Sequence, residues 1–175
     1  MLYLQLKELY SAFLMKPILT TLILAVFFSA DVAAQQPAAK LPDFRFFKQD
    51  KSPFTNKDLT PGKKLLFIFF DVTCDHCQRA MTTFNEHSSE LKNVAAYLIS
   101  LDNPASVNQF MNKYGKNLLH KKNVTILLDL QNQFISKFGP RKYPSMFLYS
   151  PGRKLILYDD DDKNVGKLLK AVKGS

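Results

Sequence analysis

Hydrophobic runs and polar segments alternate along the chain beyond residue 40, in a pattern that predicts strands alternating with helices. Residues 65–70 form an unbroken apolar run between Lys64 and Asp71, and its length and aromatic content predict a central strand buried on both faces. Apolar residues then recur at helical spacing over 77–91, which predicts a helix directly after that strand. Further strands are predicted at 44–47, 94–100, 124–128, 146–149 and 154–158, and further helices at 104–114, 131–138 and 163–172.

This order of elements predicts an α/β sandwich with a mixed central sheet flanked by helices, because strands alternate with helices and the chain ends in a hairpin and a helix. Residues 150–153 carry the hairpin signal, Pro-Gly between two apolar segments. Pro104 suits the first turn of its helix and Gly115 suits the C-terminal cap. Residues 52–62 contain two prolines and an asparagine and predict a loop with one helical turn. Asp162 is expected to cap the last helix.

The N-terminal segment predicts a secretion signal rather than part of the fold. Lys16 precedes an apolar run over 18–28, and small residues follow it up to Gln35. We expect cleavage before Gln35, so that residues 1–34 are the signal peptide, with Met15 as an alternative start. A retained N-terminal membrane anchor is the alternative to cleavage, although the apolar run is short for a span of about 20 residues.

The mature protein is then expected in the periplasm or another extracytoplasmic space of a bacterium. Residues 35–40 are polar and contain Ala and Pro, which indicates a flexible lead-in, and residues 41–175 form one folded domain. No cysteine lies near the expected cleavage point, so we expect no lipid anchor. We expect the domain to act as a monomer.

The charge of the chain is basic but dispersed. The 175 residues include 24 Lys and Arg against 15 Asp and Glu, a formal net charge of +9 that would suit a nucleic-acid or membrane-surface partner. The lysines are scattered, however, and the densest groups are the pairs Lys63-Lys64 and Lys121-Lys122. No recognition-helix pattern or aromatic RNA-binding motif accompanies them, so we expect a basic soluble surface and no nucleic-acid partner.

The chemistry of the chain is concentrated in its two cysteines, Cys74 and Cys77, which follow the most hydrophobic strand and begin the next helix. Two cysteines cannot form a disulfide-stapled framework or a four-cysteine zinc site. At a helix N-terminus, free backbone N–H groups and the helix dipole stabilise a thiolate on the first cysteine, while the second, one turn later, is shielded. This arrangement predicts thiol–disulfide exchange without a cofactor or metal, and a static disulfide or a pair of metal ligands are the alternatives.

The residues around the pair affect its chemistry in opposite directions. A protonated or hydrogen-bonding His76 would lower the pKa of a neighbouring thiol and make the couple more oxidising, whereas Asp75 would act against this.

Tyr143 and Pro144 lie directly before a predicted strand. Since only about 5% of X–Pro bonds are cis, Pro144 by itself indicates no more than the start of that strand.

The chain resembles the thioredoxin-like superfamily, and within it the exported TlpA/ResA-like thiol–disulfide oxidoreductases, in five ordered segments: 41–44 (Leu-Pro-Asp-Phe), 66–70, 74–77 (Cys-Asp-His-Cys), 143–149 (Tyr-Pro-Ser-Met-Phe-Leu-Tyr) and 150–153 (Ser-Pro-Gly-Arg). The resemblance spans about residues 41–173. It implies a thioredoxin fold and a redox-active Cys74–Cys77 disulfide, with Cys74 as nucleophile and Cys77 as resolving cysteine. It also implies that Pro144, after Tyr143, is a cis-proline that contacts substrate backbone.

The same resemblance identifies helix 104–114 and strand 124–128 as an extra α-β insertion between the CxxC helix and the cis-proline strand. The chain also departs from the family pattern. Thr73 stands where the family usually has a tryptophan before the first cysteine, and Ile68 stands where it usually has a buried acid. Asp71 is close enough in sequence to be considered as a substitute for that acid. These changes bear on the reduction potential and turnover more than on the fold.

The resulting functional prediction is an exported oxidoreductase, more a reductase than an oxidase, that exchanges disulfides with exported proteins and is recycled by a membrane or periplasmic redox donor. One alternative is a thioredoxin-fold copper-binding or chaperone module that uses Cys74, Cys77 and a histidine, for which His120 is a weak candidate. A peroxidase is less favoured, because the residues before Cys74 lack a Pro-x-x-x-Thr pattern.

Overall fold

The computed structural model describes residues 36–174, so the predicted signal peptide and the first residue of the lead-in lie outside the described part. Within residues 36–174, seven strands form one sheet. The strands are β1 Arg45–Phe47, β2 Pro53–Thr55, β3 Lys64–Phe69, β4 Val94–Ser100, β5 Val124–Leu128, β6 Ser145–Tyr149 and β7 Leu155–Asp159. The helices are α1 Asp75–Glu86, α2 Pro104–Tyr114, α3 Lys116–Leu119, α4 Gln133–Phe138 and α5 Val165–Lys173, and 3₁₀ turns occupy Asn56–Asp58, Ser88–Asn93 and Asp162–Asn164.

The sheet is mixed, and β3 lies in its interior. The strand order is β2-β1-β5-β4-β3-β6-β7. Strand β3 pairs in parallel with β4 and antiparallel with β6, and β4 pairs in parallel with β5. Strands β6 and β7 form the predicted hairpin. Because β3 has a neighbouring strand on each side, the residues that follow its C-terminal end lie near the middle of the row of strand ends on that side of the sheet.

Alternate side chains of β3 enter two different cores. Leu66 and Ile68 point to the face that is covered by α1, α2 and α5, where Cys77 is also packed. Phe67 and Phe69 point to the opposite face, where they join an aromatic cluster with Phe44, Phe46, Phe54, Tyr97, Phe134, Phe138, Phe147 and Tyr149. The prediction of a strand buried on both faces is therefore confirmed.

Three local predictions differ from the structure. Residues 52–62 are not only a loop, because β2 lies there and pairs antiparallel with β1. The first helix ends at Glu86 rather than at Leu91, and a 3₁₀ turn covers the remainder. The short helix α3 had no counterpart in the hydrophobic pattern, since four residues are too few to show a helical period.

The prediction that Asp162 caps the last helix is wrong. The N-cap residue of α5 is Asn164, which makes no side-chain capping bond, and the side chain of Asp161 accepts a hydrogen bond from the backbone N–H of Lys163 at the start of the preceding 3₁₀ turn. The carboxylate of Asp162 is instead buried and binds side chains of α1.

Among residues 36–174, no helix combines the length and apolar character needed to cross a membrane.

Replacement of Phe134 by alanine should strongly destabilise the aromatic face. The ring of Phe134 is fully buried, with its centroid 4.3 Å from that of Phe69 and 4.1 Å from that of Phe138. Truncation of a buried phenylalanine costs about 3–5 kcal/mol of unfolding free energy. Urea denaturation measures this loss, and Ile156→Ala, at an exposed position of β7, is the control with an expected loss of less than about 1 kcal/mol. Equal losses for the two variants would contradict the assignment of the core.

Candidate active site

The two cysteines lie where the buried strand β3 gives way to helix α1. Cys74 is the N-cap residue of α1, and its carbonyl oxygen accepts a hydrogen bond from the N–H of Gln78. Its own side chain makes no capping bond, and its thiol instead faces the carbonyl oxygen of Tyr143 at 4.0 Å. Both cysteines are in the thiol form; Cys74 is partly exposed and Cys77 is buried. The helix thus presents one accessible sulfur, with a second, shielded sulfur one turn behind it.

Burial makes the two thiols chemically unequal. Loss of solvent is the main cause that raises the pKa of the Cys77 thiol well above its ordinary value. A hydrogen bond from the backbone N–H of Asp71, 3.5 Å from the Cys77 sulfur, acts in the opposite direction but does not offset burial. Interaction with Cys74 and the negative charge of Asp71 raise the pKa further. Cys77 therefore holds its proton more tightly than an ordinary thiol does.

Two carboxylates hold the loop that leads into Cys74. An oxygen of Asp71 accepts hydrogen bonds from the backbone N–H of Thr73, at 2.7 Å, and from its hydroxyl, at 2.6 Å. An oxygen of Asp102 accepts from the backbone N–H of Val72, at 3.1 Å, and from the hydroxyl of Ser100, at 2.8 Å. Asp71 and Thr73 were predicted as supporting residues from the sequence, whereas Asp102 was not. The only signal for it was a Ser-x-Asp pattern at the end of β4, which is common in turns.

The loop before β6 reaches the cysteines from a distant part of the chain. The Tyr143–Pro144 peptide bond is cis, as the family resemblance implied. The carbonyl oxygen of Tyr143 lies 4.0 Å from the sulfur of Cys74, and the tyrosine ring packs on Phe69 with centroids 4.8 Å apart. Burial, followed by the charges of Asp71 and Asp102, raises the pKa of Tyr143 to about 12. The phenol of Tyr143 therefore stays neutral at physiological pH.

On the other side of the motif, a carboxylate binds two basic side chains of α1. One oxygen of Asp162 lies 2.6 Å from Nδ1 of His76, and the other accepts a 2.7 Å hydrogen bond from Nε of Arg79. Burial by itself would raise the pKa of Asp162, but the hydrogen bonds from Arg79 and His76 outweigh it and lower the pKa to about 2. His76 was predicted as a supporting residue from the sequence, whereas its partners Asp162 and Arg79 were not. The only signal was a run of four aspartates, 159–162, within which no periodicity distinguishes one residue from another.

The described residues do not assemble a metal site. Within 36–174, no group of three or more His, Cys, Asp and Glu side chains is placed to hold a metal ion. His76 is bound to Asp162, and His120 is an exposed residue at the end of α3. The geometry thus gives no support to the copper-binding alternative.

Solved structures of redox proteins have a similar fold. One is a thiol-disulfide oxidoreductase from Bacteroides fragilis, with 20% identity and a TM-score of 0.59 over 75% of this chain and 98% of that chain. Another is a secreted disulfide oxidoreductase from Mycobacterium tuberculosis, with 16% identity and a TM-score of 0.60 over 73% of this chain and 95% of that chain. These similarities confirm the predicted thioredoxin-like fold.

Comparison of sequences leads to the same superfamily. Thiol peroxidases from two serovars of Leptospira interrogans are 32% identical to this chain over 81 residues, which are 46% of this chain and 47% of each relative. The chain thus matches about half the length of these curated relatives. Residues 37–163, which include both cysteines and the cis-proline, match the AhpC/TSA family. The protein therefore belongs to the AhpC/TSA family.

Proposed function

We propose that the protein reduces disulfides of other exported proteins by exchange through Cys74 and Cys77. The observation that carries this proposal is the pairing of a partly exposed thiol at the N-terminus of α1 with a buried thiol one turn later. The accessible sulfur faces the carbonyl oxygen of Tyr143 at 4.0 Å, beside the cis peptide bond to Pro144. Such a site has an attacking sulfur, a resolving sulfur and free backbone next to them.

The exchange transfers two electrons in two steps. The Cys74 thiolate attacks one sulfur of the substrate disulfide, and the other substrate sulfur leaves as a thiolate that takes up a proton. Cys77 then loses its proton and attacks the Cys74 sulfur, which releases the substrate as a dithiol and leaves a Cys74–Cys77 disulfide. A membrane or periplasmic redox donor must return two electrons and two protons before the next cycle.

Removal of the proton from Cys77 is the demanding step, because burial raises the pKa of that thiol. Ile68 is packed in the same core as Cys77 and has no group that could accept the proton. Asp71 is the carboxylate whose charge acts on Cys77, and its backbone N–H already faces the sulfur. We therefore assign Asp71 as the proton acceptor in place of the missing buried acid, with Thr73 holding its carboxylate.

Substrate contact is assigned to the loop of Tyr143 and Pro144. A recess next to this loop is lined by Phe69, Ile135, Pro140, Arg141, Lys142 and Tyr143. Its lining is mainly apolar, and the charges of Arg141 and Lys142 are already paired with Asp160, which suits a polypeptide segment better than a small ion. His76 borders the pair from the opposite side, through its position in the motif.

A peroxidase is the second candidate, since the curated relatives are named thiol peroxidases. The Cys74 thiolate would attack a peroxide oxygen and become a sulfenic acid, with release of water or an alcohol. Cys77 would then condense with the sulfenic acid, release water and form the same disulfide. Rapid consumption of hydrogen peroxide that disappears on Cys74→Ser would establish this activity, although no Pro-x-x-x-Thr pattern precedes Cys74.

The two cysteine variants should fail in different ways. Cys74→Ser should lose reduction of insulin disulfides to the background rate, because no attacking sulfur remains accessible. Cys77→Ser should still attack but should accumulate a mixed disulfide with its substrate, visible as a slower band on a non-reducing gel. Thermal unfolding close to that of the wild type serves as the control for folding. Full reductase activity in the Cys74→Ser variant would contradict the mechanism.

The unequal thiols should be distinguishable by alkylation. Because burial raises the pKa of Cys77, its reactive thiolate stays scarce as the pH rises past about 8.5, the ordinary thiol pKa. We expect iodoacetamide to modify Cys74 in the folded protein between about pH 7 and pH 9, and to modify Cys77 only after denaturation. Mass spectrometry of the digested protein measures both rates. Modification of the two thiols at similar rates in the folded protein would refute the assigned roles.

Export predicts a shortened mature chain. When the full chain is expressed in a Gram-negative bacterium, we expect the periplasmic fraction to contain protein that begins at Gln35, as measured by N-terminal sequencing. A chain that starts at Met15 should be exported equally well, because it keeps Lys16 and the apolar run. Recovery of the uncleaved chain in the membrane fraction would instead support the retained anchor.

A further inference from the structure

We propose that Asp162 is a positioning residue that sets the redox equilibrium of the Cys74–Cys77 couple, by holding Arg79 and His76 and by offsetting the positive charge of Arg79 beside Cys74. This inference rests on the proposed function, because it concerns the same couple. Nothing in the local sequence of the motif indicates it, since Asp162 lies 86 residues beyond His76. Asp162 is the first residue of the 3₁₀ turn Asp162–Asn164, and this turn packs against α1.

The contacts of Asp162 use both carboxylate oxygens. One oxygen is 2.6 Å from Nδ1 of His76 and the other is 2.7 Å from Nε of Arg79. The side chain of Asp162 is only 5% exposed, whereas those of His76 and Arg79 are 60% and 55% exposed. A shielded negative charge thus lies beneath two exposed basic groups of the active-site helix. A shielded charge is weakened less by salt than an exposed one.

The geometry also assigns the proton on His76. Its Nδ1 lies 2.6 Å from the oxygen of Asp162 and 2.8 Å from a terminal guanidinium nitrogen of Arg79. An ionised carboxylate can only accept and a guanidinium can only donate, so Nδ1 cannot satisfy both. An unprotonated Nδ1 would direct its lone pair at a carboxylate oxygen at the shorter distance. Nδ1 therefore carries the proton and donates it to Asp162, which fixes the orientation of the ring.

Arg79 connects this cluster to the reacting sulfur. The pKa of Arg79 is raised, first by its hydrogen bond to Asp162 and then by the negative charges of Asp162, Asp75 and the Cys74 thiolate. A terminal guanidinium nitrogen of Arg79 also lies 2.8 Å from Nδ1 of His76, which is two positions after Cys74 in the first turn of α1, so the guanidinium lies at the end of the helix that carries Cys74. A cation near a thiolate stabilises it, and a more stable thiolate favours the dithiol over the disulfide, which makes the couple more oxidising. Asp162 offsets that cation and so shifts the couple in the reducing direction.

Several other ionisable groups surround the cysteines. Asp75 lies in the motif itself, Asp71 and Asp102 hold the preceding loop, and Tyr143 belongs to the cis-proline loop. The hydrogen bonds of Asp71, Asp102 and Tyr143 are made with other residues than Asp162 and Arg79, so we expect these groups to keep their positions in the variants. A difference between such variants and the wild type therefore reports on the Asp162–Arg79–His76 cluster.

The sign of the effect separates a role in redox tuning from a merely structural one. Asp162→Asn and Arg79→Gln disrupt the same contact, so a structural contact predicts shifts in the same direction. Charge compensation predicts opposite shifts. Asp162→Asn leaves Arg79 unopposed and should make the couple more oxidising, by about three- to tenfold in its equilibrium constant with glutathione. Arg79→Gln should make it more reducing by a similar factor, where tenfold corresponds to about 30 mV for a two-electron couple.

Conservative variants and a matched control complete the experiment. Arg79→Lys and Asp162→Glu keep the charges and should stay within about twofold of the wild type. Glu90→Gln is the matched control, because Glu90 also binds a histidine and a cation, His87 at 3.0 Å and Lys173 at 2.9 Å, beyond the opposite end of α1. It should not shift the couple. Salt at about 0.5 M should reduce the shift that Arg79→Gln causes, because the guanidinium is exposed.

The outcomes are distinct. If the wild-type couple does not exchange with glutathione, the proposed function fails. If it exchanges normally but Asp162→Asn and Arg79→Gln shift it in the same direction, or not at all, the role of Asp162 is refuted and the proposed function stands. If Asp162→Asn does not fold, Arg79→Gln and Arg79→Lys decide the matter. A shift of the couple in the reducing direction in Arg79→Gln, together with no shift in Arg79→Lys, supports the proposal. Any other combination of results for these two variants overturns it.

Discussion

Burial of β3 on both faces is the constraint on which the site depends. The strand contributes Leu66 and Ile68 to one core and Phe67 and Phe69 to the other, so its direction and register cannot shift without exposing one of these sets. The strand therefore fixes the position of Cys74, which is the residue directly before α1. The neighbouring strand β6 pairs with β3 and brings the cis-proline loop to the same edge.

The difference between the two sulfurs follows from this placement. Positions 74 and 77 lie about one helical turn apart, so the two sulfurs are on a similar face of α1, but Cys77 lies inside the helix and packs in the core while Cys74 is partly exposed at the helix N-terminus. Burial then raises the pKa of Cys77, while Cys74 stays at the open helix N-terminus. Acidic groups hold the loop on one side of Cys74, and the Asp162–Arg79–His76 cluster lies on the other.

Much of the fold could be predicted from hydrophobic pattern alone. Strands 94–100 and 124–128 and helix 104–114 have the predicted bounds, because each is a long run with clear ends such as Pro104 and Gly115. Strand β2 could not be predicted, since Pro53–Thr55 is a strand only through its pairing with β1. The helix after Cys77 was predicted too long, because Leu91 continues the apolar spacing although the chain has already passed into a 3₁₀ turn. The spacing of apolar residues indicates which side chains are buried, and Leu91 is buried by a 3₁₀ turn as it would be by a continued α-helix.

The sequence by itself determined the Cys74–Cys77 pair and its setting, because a CxxC between a buried strand and a helix is a local pattern that needs no knowledge of distant residues. Only the tertiary structure decided what surrounds that pair. Asp102, Tyr143 and Asp162 lie 28, 69 and 88 positions from Cys74, and they reach the site through the strand order and the packing of the last turn against α1. One aspartate in a run of four is chemically identical to its neighbours until the fold buries it beneath a histidine and an arginine.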